Sequence, residues 1–364
     1  VKIDGISVLE DVPVNFTSAG AIDANGMSWV GFSAFTGGCC EAHDIIYWKF
    51  KSDTIANPKY NVNDYSLSST EIEDGFDINS SGTVAGQTIS HSPFTIQGWL
   101  RNGSNESTIS SLGGSITSPY GINIDGWAVG ESSDSSSISH AFMWQGSTTD
   151  LGSGAAWAIN DSGSTVGCTS TTDGSERAFI RPNGGTMQLL ATLGGFDCSA
   201  YDINSSNVVV GAAKTANGDN HACMWNAAGS PIDLGVLSSG ITSVALGVNN
   251  SNSIVGYCDL INGGRHAFIR VSNTMTDLGT LGGLCSEAYD INNSGSCVGR
   301  AQRSDGTWVA CLWQNGKLID LNWRLPAGSD WLLEAAYAIN DSGSITGTGT
   351  LKSTGKQHVF VLTP

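Results

Sequence analysis

A short pattern, aromatic-x-Ile-Asn-x-x-Gly, returns along this chain at regular intervals, and that repetition limits the possible fold more than any other property. It is read at Ala21-Ile22-Asp23, Phe76-Asp77-Ile78-Asn79, Tyr120-Gly121-Ile122-Asn123 and Trp157-Ala158-Ile159-Asn160. It continues at Tyr201-Asp202-Ile203-Asn204, Leu246-Gly247-Val248-Asn249, Tyr289-Asp290-Ile291-Asn292 and Tyr337-Ala338-Ile339-Asn340. These eight copies are spaced by 56, 44, 37, 44, 45, 43 and 48 residues between Asn positions, with Asp23 standing first. Periods of this size belong to propeller blades of four short strands.

Each copy carries its own strand physics. Around the seventh, Ala288, Asp290 and Asn292 alternate with Tyr289 and Ile291, the period of a strand. Asn-Asn-Ser-Gly, Asn-Asp-Ser-Gly or Asn-Ser-Ser-Gly follows, and Asn and Gly tolerate the positive φ of a tight turn. A second strand comes next, as at Cys297-Val298-Gly299-Arg300. The third strand reads His140-Ala141-Phe142, Arg177-Ala178-Phe179, His221-Ala222-Cys223 and His266-Ala267-Phe268, and the fourth closes on Asp150-Leu151-Gly152, Asp233-Leu234-Gly235 or Asp277-Leu278-Gly279. With 47 Gly and only 13% charged residues, the composition suits many turns between short strands.

These tripeptides, with Leu193-Gly194-Gly195 and Leu281-Gly282-Gly283, resemble the HAF-repeat family of extracellular bacterial proteins. The likeness runs over roughly residues 75 to 364. The first repeat departs from it, with Asp44-Ile45-Ile46-Tyr47-Trp48 at the third strand, and so does the second, with Gln97-Gly98-Trp99. The resemblance implies a repetitive β architecture and export, at the cell surface or outside the cell, and no particular enzymatic activity.

The expected fold is therefore all-β: a single eight-bladed β-propeller domain over residues 1–364, with seven blades as the alternative. The chain ends after a third-type strand, His358-Val359-Phe360-Val361, while Ile6-Ser7-Val8-Leu9 precedes the first inner strand. Pairing of N- and C-terminal strands would close the ring and leave no open edge. Stability is expected from many equivalent layers rather than one core.

A net charge of −17 repels polyanions, which argues against nucleic acid and anionic lipid as partners. No apolar run has the length of a membrane span, and no signal segment opens the chain; because the chain starts at Val1, a removed export signal stays open.

Residues that recur around a ring are framework, so departures from the repeat are the candidate sites. His140, His221, His266 and His358 fall at equivalent places in separate blades and read as structural, with no metal or other cofactor expected. Asp77, Asp202 and Asp290 lie on inner strands, where paired carboxylates could act as acid and base, though strand hydrogen bonding accounts for them more simply. Two enlarged loops break the pattern. Ser33 to His43 carries Glu41 and His43, and Trp323 to Glu334 carries Trp323, Arg324, Asp330 and Trp331. Both are expected on one face, where aromatic and charged groups suit a carbohydrate or protein ligand. The function expected is a noncatalytic binding or scaffold module; the alternative is a glycoside hydrolase or lyase using carboxylates at the channel mouth. Among nine cysteines, Cys168 with Cys198 and Cys258 with Cys285 are disulfide candidates in an exported protein.

Overall fold

The computed structural model describes residues 2–3, 6–7, 60–67, 71–226 and 228–364. The chain divides into two compact bodies, Val1–Thr54 and Ile55–Pro364. In the first, the described residues form a short hairpin of Lys2–Ile3 with Ile6–Ser7. The repeat at Ala21-Ile22-Asp23 and the strand at Asp44 to Trp48 lie outside the described residues.

The second body is built of antiparallel four-stranded sheets, seven among the described residues. Their innermost strands are Ile72–Ile78, Gly113–Ile122, Ala155–Ile159, Gly194–Ile203, Gly240–Val248, Gly282–Ile291 and Trp331–Ile339. We number the sheets 1 to 7 in that order. Single parallel bridges, Ile96 with Ile116 and Arg265 with Cys285, join neighbouring sheets 1 and 2, and 5 and 6.

One irregularity recurs in every inner strand. Its register slips by one residue, between Ala288 and Asp290 in sheet 6 for example, so the aromatic between them is bulged out of the ladder. Phe76, Tyr120, Trp157, Tyr201, Leu246 and Tyr337 sit at the same slip. The alternation expected through Ala288 to Asn292 is thus broken at Tyr289, because a bulge turns two successive side chains away from the regular order. Opposite the bulge stands a glycine in every second strand. A Cβ on Gly299 would lie 1.9 Å from the Glu287 carbonyl oxygen, and one on Gly211 2.0 Å from that of Ser199, so no side chain fits there.

The core is divided as the repeat requires. Buried apolar clusters form between successive sheets, among them Val298, Leu312, Trp331, Leu333 and Phe360 between sheets 6 and 7, and Ile78, Val84, Trp99, Val359 and Val361 between sheets 7 and 1. The third-strand Phe142, Phe179, Phe268 and Phe360 are fully buried, each worth about 1.5–3 kcal/mol relative to exposure.

Sheet 7 takes three strands from the C-terminal end and its fourth, Asn61–Asp64, from far upstream, antiparallel to Lys356–Thr363. The strand expected to seal the ring was Ile6-Ser7-Val8-Leu9; the strand found there is Asn61–Asp64, while Ile6 and Ser7 pair locally with Ile3 and Lys2, and Val8 and Leu9 lie outside the described residues. Arg101 locks this seam. Its Nη1 donates to the Tyr65 carbonyl (2.9 Å), Nη2 to Glu73 (2.7 Å) and Nε to Glu106 (2.7 Å), while its guanidinium covers Trp99. Sheets 7 and 1 then pack directly, and no eighth sheet intervenes between them among the described residues.

Candidate functional site

In each sheet the turn from first to second strand lies at one end of the central axis, and the hairpin from second to third strand lies at the other, with the connections between sheets. These ends are called here the turn face and the loop face.

At the turn face the repeated asparagine explains itself. Asn292 Oδ1 accepts from the N–H groups of Ser294 (3.1 Å) and Ser296 (3.0 Å), and its Nδ2 donates to the carbonyl of Asn340 in the next sheet (3.1 Å). The same outward bond runs from Asn79 to Asn123, Asn123 to Asn160, Asn160 to Asn204, Asn204 to Asn249 and Asn249 to Asn292. It returns from Asn340 to Asn79 at 2.9 Å, so the donors form a closed cycle. Where the fourth turn residue is not Gly it is Asn207 or Asn252, both at positive φ, and each accepts a second bond from the preceding sheet's Asn (2.8 Å). Inside this rim lies a polar cup of ≈ 210 Å³, floored by Ile78, Ile122, Ile159, Ile203, Val248, Ile291 and Ile339.

Deeper in the axis sit the three carboxylates. Asp77 accepts from its own neighbour's N–H, that of Ile78 (2.7 Å), and from Ile122 of the next sheet (2.8 Å). Asp202 does the same with Ile203 and Val248, and Asp290 with Ile291 and Ile339. Each staples two sheets. On the receiving sheet the equivalent position is Gly121, Gly247 or Ala338, where little side chain stands in the way. Burial raises all three above the ordinary Asp value, Asp77 to about 6 and Asp202 to about 7. Asp290, which also feels the charges of Asp202 and Asp77, rises to about 8. Each residue is partly exposed, and one oxygen of each carboxyl accepts from its own strand while the other accepts from the next sheet.

Above them the bulged aromatics circle the axis. Phe76 meets Tyr120 at 5.4 Å, Tyr120 meets Trp157 at 4.6 Å, Trp157 meets Tyr201 at 6.2 Å, Tyr289 meets Tyr337 at 5.6 Å, and Tyr337 meets Phe76 at 6.5 Å. Leu246 interrupts the series.

Toward the loop face the regularity ends. The residue after the recurring glycine is Gln87, Glu131, Cys168, Ala212, Tyr257, Arg300 or Thr348, a different side chain in every sheet. Glu131 accepts from the Tyr120 hydroxyl (2.9 Å), and Gln87 donates to Asp74 (3.1 Å). The densest group lies on sheets 5 and 6. There Glu287 accepts from Arg265 Nη1 and Arg300 Nε, both at 2.8 Å, and from the Tyr289 hydroxyl. Burial pushes Glu287 up, but its bonds to Arg300, Tyr289 and Arg265 outweigh burial and hold it below the ordinary range. Arg265 also donates Nε to Asp259 (2.7 Å) and covers the Tyr257 ring at 4.0 Å; Arg300 covers Trp308 at 4.3 Å.

The histidines behave as their repetition implies. Nδ1 of His140 lies 3.0 Å from Asp150, that of His221 3.0 Å from Asp233, and that of His266 2.7 Å from Asp277. His358 completes the set with Asp64 of the sealing strand at 2.9 Å. Where the histidine is replaced, the carboxylate changes too. Arg177 faces a fourth strand ending in Leu189, and Gln97 donates instead to the Ile109 carbonyl. In sheet 6, where Val309 replaces histidine, Asp320 turns to Arg303 (2.9 Å to Nε).

The residues chosen from the enlarged loop separate. Trp323, in the 3-10 turn Leu321–Arg324, is 45% exposed, and Arg324 beside it is partly open. Trp331 is only 7% exposed and packs edge-on against His358 and Phe360, so it belongs to the layer between sheets 6 and 7. Asp330 accepts from the Ser353 N–H (2.9 Å) and hydroxyl, tying the loop to the neighbouring hairpin. Glu41 and His43 lie outside the described residues.

The expected disulfides are not formed; Cys168, Cys198, Cys258 and Cys285 are free thiols. The two pairs are out of step by one residue, which places their members on opposite strand faces. Cys198 stands where Ser243 and Ser286 occur in later sheets, and does their work. Its sulfur accepts the Ala178 N–H (3.2 Å), as the Ser243 hydroxyl accepts Ala222 (2.8 Å) and that of Ser286 accepts Ala267 (2.9 Å). Sequence reasoning missed Arg265, Glu287 and Arg300, although their signal, variation at an otherwise regular position, was the one applied to the loops.

No family model and no curated protein matches the chain. Among solved structures it is similar to the β-propeller domain of the Trilobed protease from Pyrococcus furiosus, at 9% identity and TM-score 0.56, over 82% of this chain and 94% of that one. It is also similar to the acylaminoacyl peptidase of Pyrococcus horikoshii, at 10% identity and TM-score 0.53, covering 77% of this chain and about half (49%) of the peptidase. No helix among the described residues is long and apolar enough to cross a membrane. At such identities the likeness is one of fold, and the fold is an all-β propeller.

Proposed function

We propose that this chain is an exported, noncatalytic binding or scaffold module of the HAF-repeat kind, a seven-bladed ring that engages a carbohydrate or protein through its loop face. One observation carries the reading: the asparagine at the turn face recurs in every described sheet, whereas the residue after the glycine, toward the loop face, differs in every sheet. A framework role favours sameness around a ring; recognition of an asymmetric ligand favours difference. The axial carboxylates support binding over hydrolysis, because each is committed to two backbone N–H groups, one in its own strand and one in the next sheet, and so has a structural role that accounts for it.

Glycan arrays and affinity capture from culture medium test this with two variants at the loop face and one at the turn face. Loss of retention in Glu131→Gln or Trp323→Ala, with Asn250→Ser unaffected, is the expected result. Equal loss from Asn250→Ser would move the site to the turn face, and turnover of a retained glycan would overturn the noncatalytic reading.

A further inference from the structure

Two guanidinium groups at the loop face are half used. Arg300 donates only its Nε, to Glu287, and among the described residues neither of its Nη atoms has a hydrogen-bond partner. Arg265 uses Nε and Nη1, leaving Nη2 without one. Both side chains are partly open to solvent, and stacking on Tyr257 and Trp308 fixes the planes of the two forks. A planar fork with two free donors matches one carboxylate, which it can hold by parallel N–H bonds. The flanking Asp259 and Glu287, in a chain of net charge −17, disfavour a more highly charged anion.

Beside these forks the surface is apolar without need. Ile241 is 52%, Ile261 76% and Leu284 66% exposed. They ring the same spot. Ile261 stands on the hairpin leading to Arg265 and donates its N–H to the Ser239 carbonyl, two residues before Ile241. The Leu284 backbone lies over Gly264, and its neighbour Cys285 bridges to Arg265. Branched aliphatic side chains offer nothing to sugar hydroxyls but fit the side chains of a peptide, and an exposed group of them rimmed by charge marks an interaction surface.

We infer that the loop face of sheets 5 and 6 binds a peptide segment in which a carboxylate stands among apolar side chains: Arg300, with Arg265, takes the carboxylate, and Ile241, Ile261 and Leu284 take its neighbours. This rests on the loop face being the binding face, and it chooses protein over carbohydrate as the ligand there.

The test uses the full chain and a pool of C-terminally amidated hexapeptides mixing Leu, Phe, Ser and Asp, against the same pool made with Asn in place of Asp. The Asp pool should bind at least about 10-fold more tightly, the size of one charge-assisted hydrogen bond. Arg300→Gln and Arg300→Lys should both remove that preference, since Lys keeps the charge without the fork, and Leu284→Ser should weaken both pools while thermal midpoints stay near wild type. Equal binding of the two pools, no binding of either, or full binding by Arg300→Lys would each overturn the inference. Binding of oligogalacturonate but not peptide, lost in Arg300→Gln, would overturn the peptide assignment while leaving the loop face as the binding face. Glycan retention sensitive to Glu131→Gln but not to Arg300→Gln would overturn the site and spare the proposed function.

Discussion

The two ends of the axis are made by the same strands, yet they differ in what a substitution can do. At the turn face each Asn spends both side-chain groups on backbone partners, half within its own turn and half in the next sheet, so sequence there is dictated by the ring. At the loop face the residue after the glycine bonds differently in each sheet, or not at all, and the ring tolerates any of them. Repetition records what holding a ring together requires; its loss records where that requirement ends.

The sharpest way to break this comparison is at the bulge that both faces share. Gly299→Ala would press a methyl against the Glu287 carbonyl, and a loss of about 3 kcal/mol or more in urea unfolding is expected. Next comes Asn204→Ala, which removes bonds to Asn249, Asn252, Ser206 and Val208 and should cost about 2–4 kcal/mol at the net value of such bonds.

A pH series probes the axial staples between the faces. Asp290 has an ordinary value of 3.8 and a folded value of about 8, so below the first both states are protonated, and between the two the folded state binds more protons. Its contribution to stability is therefore fully present in acid and is lost as pH rises toward 8. The thermal midpoint of Asp290→Asn should fall less steeply than wild type between pH 6 and 8.5; parallel curves would show that Asp290 does not titrate there. Smaller still, a double-mutant cycle on His266 and Asp277 should return a coupling of about 0.2–1 kcal/mol, as partly exposed pairs do. Trp323→Ser, at the loop face, should shift stability by no more than about 0.5 kcal/mol, and a larger loss would make that tryptophan framework.

Much of the ring was legible in the sequence because a repeat is read several times over. The strand order, the turns of Asn79 through Asn340 and the structural role of the histidines all follow from pattern. The bulge was not legible, since alternation at Ala288 to Asn292 looks the same until the register is seen. The sealing strand was readable only in retrospect: wherever His occupies the third strand a fourth-strand Asp answers it, and His358 required one that Asp64 supplies. Trp331 misled because an aromatic in an enlarged loop and an aromatic opening a strand are spelled alike. The Arg265–Glu287–Arg300 group was hidden because its members come from two sheets and meet only across the gap between them.

The seam has a consequence for the order of events during synthesis. Asn61–Asp64 leaves the ribosome early, yet its partner Lys356–Thr363 is made almost 300 residues later, the Asn63–Val361 contact spanning 298. The intervening sheets can each assemble as they emerge, since their strands are consecutive, but the circle of asparagines stays an open arc until the final strand arrives. While those sheets are being made, Asn61–Asp64 has no ladder partner, and an unpaired strand is the part of the seam most open to pairing with another chain.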